Sequence, residues 1–228
     1  MTRIDAVLFD WGDTLFESPH APTVIRLYAK ERGVALDDGA AQAMWDELWD
    51  AGKTREEHAK GRDLSPEAHR RVWTELFARK QAILPGIGPV LYERVMQPTI
   101  WKSYPDTEPT LRALKKRGIK IGIVSNHAWD LRAIVRTAGL GDLVDIYAIS
   151  YEVGVAKPSP VIFVEACRRL GVPAANTLMV GDDAVSDAAA ADAGLQLYLL
   201  GPYRHGSERG LARVVEIVDA SRSVGRVS

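Results

Sequence analysis

The rhythm of apolar and polar positions changes along the chain. Residues 4 to 9, "IDAVLF", are a short apolar run that predicts a buried strand ending at Asp10. Between about residues 20 and 97 the apolar positions recur at helical spacing, and no strand is predicted there. Val24, Leu27 and Tyr28 share one face, Met44 with Leu48 and Trp45 with Trp49 are i,i+4 pairs, and Val72, Trp73, Leu76 and Phe77 form a further stripe. "LSPEAH" opens that last helix, with Ser65 at the N-cap and Pro66 at the first helical position. From residue 104 onward helix and strand alternate. "EPTLRALKKRG" stops at Gly118 and is followed by the buried strand "IKIGIVSN", and the segments "LRAIVRTAGLGDLVDIYAIS" and "PVIFVEACRRLGVPAANTLMVGDD" repeat the unit. The last residues, "SRSVGRVS", read as a frayed tail.

This alternation predicts an α/β fold with an open parallel sheet and helices on both faces. The helical stretch interrupts it after the first strand, so residues 1–19 and 98–228 form the core and residues 20–97 an all-helical insert. No internal repeat or low-complexity tract is visible. With 228 residues, 46% hydrophobic and 26% charged, the chain can bury one core and a smaller appended one. A formal net charge of -1 gives no general attraction to nucleic acid or to an anionic membrane, so any recognition of phosphate must be local. Cys167 is the sole cysteine, which excludes an intrachain disulfide and a cysteine-rich zinc site and suits a reducing compartment. "MTRIDAVLFD" has no signal-peptide pattern, and no apolar run reaches membrane-spanning length. The expectation is a soluble cytoplasmic protein without nucleic-acid or membrane partners. Its oligomeric state is not written in the sequence.

In an open parallel sheet ligands collect at the carboxyl ends of the strands, and Asp10, Ser125 and Asp182 each stand where a predicted strand finishes. One acid after a strand is an ordinary turn residue, but three strand ends could face one cleft. "FDWGDTLF" with Asp10 and Thr14, "IVSN" with Ser125, "VAKPSPVIF" with Lys157 and Pro158, and "VGDDAVSD" with Asp182 and Asp187 together resemble the four ordered motifs of the haloacid dehalogenase-like hydrolase superfamily. The resemblance covers about residues 1 to 16 and 103 to 200. It places the helical insert where that superfamily carries its cap domain, and it implies a Rossmann-like core, a site between core and cap, and a small phosphorylated substrate.

The resemblance also implies roles. Asp10 is the nucleophile, forming an aspartyl-phosphate that splits a difficult hydrolysis into two easier steps. Mg²⁺, held by Asp10, Asp182 and the backbone carbonyl of Gly12, offsets the repulsion between that carboxylate and a phosphate dianion. Ser125 and Lys157 bind the phosphoryl oxygens, Asn126 and Thr14 belong to the substrate site, and Thr14 also supports the nucleophile loop. Asp187 is an outer acid that orients metal-bound water. Read without the family, Lys157 is a solvated loop lysine, Ser125 a cap, and Asp182, Asp183 and Asp187 acids at a helix N-terminus.

The departure from the pattern is Gly12. Phosphatases of the superfamily carry a second Asp there, which protonates the leaving group and later deprotonates water. Asp13 is either a displaced version of that acid or a loop cap. Dehalogenases of the founding type have an aromatic residue at this position and use no metal. Phosphonate hydrolases have a small one and a Schiff-base lysine in the cap, for which Lys53 is the nominee. "DAGKTREEHAKG" equally reads as a solvated turn, with His58 and Lys60 facing solvent. Trp45, Trp49 and Trp73 are expected in the core of the insert, and Cys167 as a buried inert thiol. Trp11, His127 and Trp129 either line the site entrance or pack. A reading from another class is a catalytically weakened member that binds a phosphorylated ligand or protein partner.

Overall fold

The computed structural model describes residues 2–96, 100–202 and 206–223. Strand β1 (Ala6–Phe9) and the short β2 (Phe16–Glu17) lead into helices α1 (Pro22–Glu31), α2 (Asp38–Gly52), α3 (Arg55–Ala59), α4 (Pro66–Phe77) and α5 (Ile87–Val95). Then follow β3 (Lys102–Ser103), α6 (Thr107–Lys116), β4 (Lys120–Ser125), α7 (Arg132–Thr137), β5 (Ile146–Ile149) and α8 (Ser150–Val153). The chain continues through α9 (Pro160–Leu170), β6 (Thr177–Gly181), β7 (Gln196–Leu199) and α10 (Ala212–Ser223). These elements form two compact units, Met1–Ser18 with Lys102–Ser228, and Pro19–Trp101.

The first unit is built on a parallel five-stranded sheet in the order β5-β4-β1-β6-β7. β1 is central, with Leu8 opposite Gly122 of β4 and Met179 of β6. A central parallel strand is covered on both faces, which is why its sequence is an unbroken apolar run. On one face Leu8, Val124, Ala148 and Met179 pack with Ile162, Phe163 and Ala166 of α9. The alternate residues Val7, Phe9, Ile121 and Ile123 are equally buried, and α6 lies along β4. β2 and β3 pair as a separate antiparallel ribbon, Phe16 with Ser103 and Glu17 with Lys102, where the chain leaves and re-enters this unit. Two-residue strands carry no periodicity, so this ribbon was invisible in the sequence.

The second unit has its own core, formed by Ile25, Tyr28, Met44, Trp45, Leu48, Trp73, Leu76, Phe77 and Leu91 among others. Trp45 stacks on Trp49 at 5.1 Å and Trp49 on Trp73 at 5.4 Å, so these three rings pack as core. Ser65 caps α4 by accepting from the Ala68 amide at 3.1 Å. The stretch expected to be a solvated turn differs. It contains α3, with the side chain of Thr54 capping it at the Glu57 amide, and Glu57 is almost fully buried. Its carboxylate takes ion pairs from Lys60 and Arg79, which is what makes the burial of an acid tolerable. His58 is half-buried and bonds Asp63 at 3.1 Å, so it does not simply face solvent. Lys53 is exposed, its ammonium 5.9 Å from the Trp49 ring.

The tail reading is also corrected in part. Ser221 to Ser223 form the last turn of α10, and the Ser221 hydroxyl accepts from the Ile4 amide at 3.1 Å; residues 224–228 lie outside the described residues. Among the described residues no helix is long and apolar enough to cross a membrane. Phe163 is fully buried where α9 meets the sheet. Phe163→Ala is therefore expected to remove about 3–5 kcal/mol of stability in urea denaturation, and a loss below about 1 kcal/mol would show that the sheet does not rest on this packing.

Candidate active site

The site residues come from loops at the carboxyl edge of the sheet. Asp10 follows β1, and its amide donates to Val180 of β6 at 2.9 Å, so the backbone at the nucleophile candidate still belongs to the sheet. Ser125 is the last residue of β4 and is buried; Asp182 follows β6 immediately. Lys157 precedes α9. Asn126 fixes its backbone twice, its side-chain Oδ1 accepting from the Lys157 amide at 2.7 Å and its Nδ2 donating to the Lys157 carbonyl at 2.8 Å. The side-chain amide of Asn126 thus tethers Lys157.

The tether delivers the Lys157 ammonium between two carboxylates. It donates to Asp10 Oδ1 and to Asp187 Oδ1, the latter at 2.6 Å. Asp187 is fully buried, and its other oxygen accepts from the amides of Asp182 and Asp183, each at 3.0 Å. Both of its oxygens are thereby engaged in holding neighbours. Thr14 is also fully buried and donates to Asp182 Oδ1 at 3.3 Å, so its hydroxyl orients that acid. Asp183 closes a local turn, its Oδ1 accepting from Val185 at 2.8 Å and Ser186 at 2.6 Å.

Asp10, Asp182 and Asp187 each offer an oxygen within 4.8 Å of the others. Such a set of hard carboxylate donors could hold Mg²⁺ or another hard divalent cation. Burial pushes the Asp10 carboxyl well above the usual carboxylate range; Lys157 pulls it back, while Asp187 and Asp182 push it further up. Lys157 is raised, because although burial opposes its charge, Asp10 and Asp187 outweigh that penalty. It stays an ammonium across the physiological range.

The loop after Asp10 gives Asp13 a backbone partner. Asp13 is buried with a left-handed φ of 55°, and its Oδ1 accepts from the Ser18 amide at 3.0 Å, which is the geometry of a loop cap. Gly12 is not among the residues with positive φ. Trp11 is buried, its ring 5.3 Å from Phe16 and 5.0 Å from His127, which in turn lies 4.0 Å from Trp129. These rings pack on one another within the first unit. Cys167 is buried in α9, and burial raises its thiol pKa.

One contributor that sequence reasoning passed over is Gly181, the last residue of β6. A Cβ there would lie 2.1 Å from Asp187 Oδ2 and 2.3 Å from its carboxyl carbon. Only glycine lets that carboxylate fold back onto the two amides that follow; the signal was the glycine directly before the acid pair in "VGDD". Gly181→Ala should displace Asp187 and lower stability by about 1–3 kcal/mol, readable in denaturant titration, whereas a neutral effect would contradict this packing.

Comparison with known proteins agrees with the sheet. A zebrafish (Danio rerio) protein, haloacid dehalogenase-like hydrolase domain-containing protein 3, is 31% identical over 166 residues, covering 72% of this chain but only 62% of its own length. The ribulose-1,5-bisphosphate 5-phosphatase of Halopiger xanaduensis is 30% identical over 206 residues, covering 86% of this chain and 84% of its own. The crystal structure of a HAD phosphatase from Thermococcus onnurineus superposes with a TM-score of 0.62 at 23% identity, over 96% of this chain and 100% of that one, which shows the shared fold. The family model for haloacid dehalogenase-like hydrolases matches residues 4–194, and the chain belongs to that family of hydrolases.

Proposed function

We propose that the protein is a Mg²⁺-dependent phosphatase that hydrolyses a small phosphorylated molecule through an aspartyl-phosphate on Asp10. The observation that carries this reading is the Lys157 ammonium bonded to Asp10 and Asp187, beside Asp182, at the carboxyl edge of the sheet. The phosphatase from Halopiger xanaduensis, whose name specifies a small phosphorylated sugar, supports the substrate class. The helical stretch 20–97 is assigned the part of a cap that selects substrate, and residues 1–19 with 98–228 the catalytic core. The near-neutral charge and the lack of a membrane-spanning helix among the described residues suit a cytoplasmic enzyme of small molecules.

In the first step an Asp10 oxygen attacks phosphorus, the new O–P bond forms as the bond to the leaving oxygen breaks, and that oxygen takes up a proton. In the second, water attacks the same phosphorus, loses a proton, and releases phosphate while Asp10 regains its electron pair. A cation bound by Asp10, Asp182 and the Gly12 carbonyl would supply the charge that lets a phosphate dianion approach the nucleophile. Lys157 contributes a fixed positive charge against the phosphoryl oxygens, and Ser125, at the adjacent strand end, a hydroxyl donor. Asp187 orients Lys157 and the backbone of Asp182.

Proton supply to the leaving group is the weak point. Gly12 has no acid and Asp13 accepts from the Ser18 amide, so in this reading position 12 does not supply the acid that is worth ~10²–10⁴ in rate. A second reading, a weakened member that binds a phosphorylated ligand without substantial turnover, draws its support from this deficit.

With a panel of phosphate monoesters and added Mg²⁺, Asp10→Asn should abolish turnover, and chelation should silence the native enzyme reversibly. Activity surviving either treatment would overturn the mechanism; phosphate binding without turnover in the native chain would favour the second reading. Aryl and acyl phosphates should be cleaved much faster than alkyl phosphates, since only an alkoxide needs its proton at departure. Gly12→Asp should narrow that gap, and Asp13→Asn should leave it unchanged. A selective loss of alkyl phosphate turnover of about tenfold or more in Asp13→Asn would instead identify Asp13 as the acid.

A further inference from the structure

The loop that carries Asp10 is fixed from the far end of the sequence. Within it the Asp13 amide donates to the Phe16 carbonyl at 2.7 Å, and the amides of Leu15 and Phe16 both turn back to the Trp11 carbonyl. Asp13 sits in a left-handed conformation that an aspartate tolerates better than most residues, but its own carbonyl then points away from the turn and needs a donor. That donor is Arg209. Its Nε donates to the Asp13 carbonyl at 2.6 Å, and its Nη1 to the carbonyl of Gly201, beyond β7, at 2.7 Å.

Arg209 is itself buried and held in place by Asp106, at the start of α6. The Asp106 carboxylate accepts from the amides of Arg209 at 2.9 Å and of Gly210 and Leu211 at 2.8 Å each. Nearby, the Gly206 amide donates to Glu17 of β2 at 2.6 Å, so Gly206, ahead of α10, is held to the strand that follows the Asp10 loop. A planar guanidinium whose nitrogens bind two carbonyls from two different loops has little orientational freedom left.

We propose that Arg209 is a positioning residue for the nucleophile loop, with Asp106 as its anchor. This rests on the reading of Asp10 as nucleophile. The peptide planes on both sides of Asp13 are fixed, one through its amide and Phe16, the other through its carbonyl and Arg209. The first of these planes carries the Gly12 carbonyl, the backbone oxygen assigned to the cation. Loosening the second lets the pair rotate about Asp13, which misplaces that oxygen relative to Asp10 without removing any group that touches substrate.

The test compares Arg209→Met, Arg209→Lys and Val218→Ala in the full chain. Val218 is a fully buried residue of α10 that takes no part in these bonds, and its truncation controls for general destabilisation. With p-nitrophenyl phosphate as substrate, Arg209→Met should lower kcat about tenfold or more while KM stays within about twofold. Mg²⁺ affinity, read by calorimetry without substrate, should fall by about tenfold in the same variant, because the carbonyl ligand is no longer preset. Arg209→Lys should recover part of both, and Val218→Ala neither lose kcat nor weaken Mg²⁺. Either measure left at its native value in Arg209→Met, or matched by Val218→Ala, overturns the proposal. Should Arg209→Met not fold, Arg209→Lys decides alone: a reduced kcat at unchanged KM supports it and a native kcat overturns it. A native chain inactive on every phosphate monoester defeats the phosphatase reading instead, and is separable because the native enzyme then has no kcat to lose.

Discussion

The ion pair network of Lys157 is the constraint on which the rest of the site hangs. Its ammonium is buried between Asp10 and Asp187, and burying charge in this way is costly unless each group is met by partners. Every neighbouring feature supplies such a partner. Asn126 fixes the lysine backbone from both sides, Asp187 divides its oxygens between the ammonium and two amides, and Gly181 leaves room for that carboxylate to fold back. The carboxyl groups around this ammonium are also the ones a hard divalent cation would meet, and under the phosphatase reading proposed above that cation would offset their repulsion of a phosphate dianion.

The parts of this arrangement that were legible in the sequence are those set by the strands. β1 could be read because a central parallel strand is apolar throughout, and Asp10, Ser125 and Asp182 could be placed because adjacent strand ends share one edge of the sheet. What could not be read depends on contacts between distant segments. Asn126 looks like one more polar residue after a strand until Lys157, 31 positions on, folds onto it. Thr14 and Asp182 are 168 positions apart, and nothing local in either says that one orients the other. Arg209 lies in a polar stretch with no periodicity, 196 positions from the carbonyl it holds. In the helical unit, Glu57 belonged to a run of charges that resembles a solvated turn; only the approach of Arg79 from the end of α4 turns it into a buried ion pair.

The order of glycine and aspartate after Asp10 bears on both the buried charges and the long-range contacts. This chain places a glycine at position 12 and a carboxylate one residue along, in the left-handed position of the turn. In that position the backbone of Asp13 bonds Phe16 and Arg209 while its side chain bonds Ser18. A residue tied at amide, carbonyl and carboxylate is a pivot of the loop. Serving also as the proton donor would require this tied side chain to reach a leaving group as well. Rigidity of the loop after Asp10 and mobility of an acid are in this sense alternatives at a single residue. The bonds at Asp13 favour rigidity; under the phosphatase reading proposed above, the substrate's own leaving group, rather than the protein, would govern how readily the bond to phosphorus breaks.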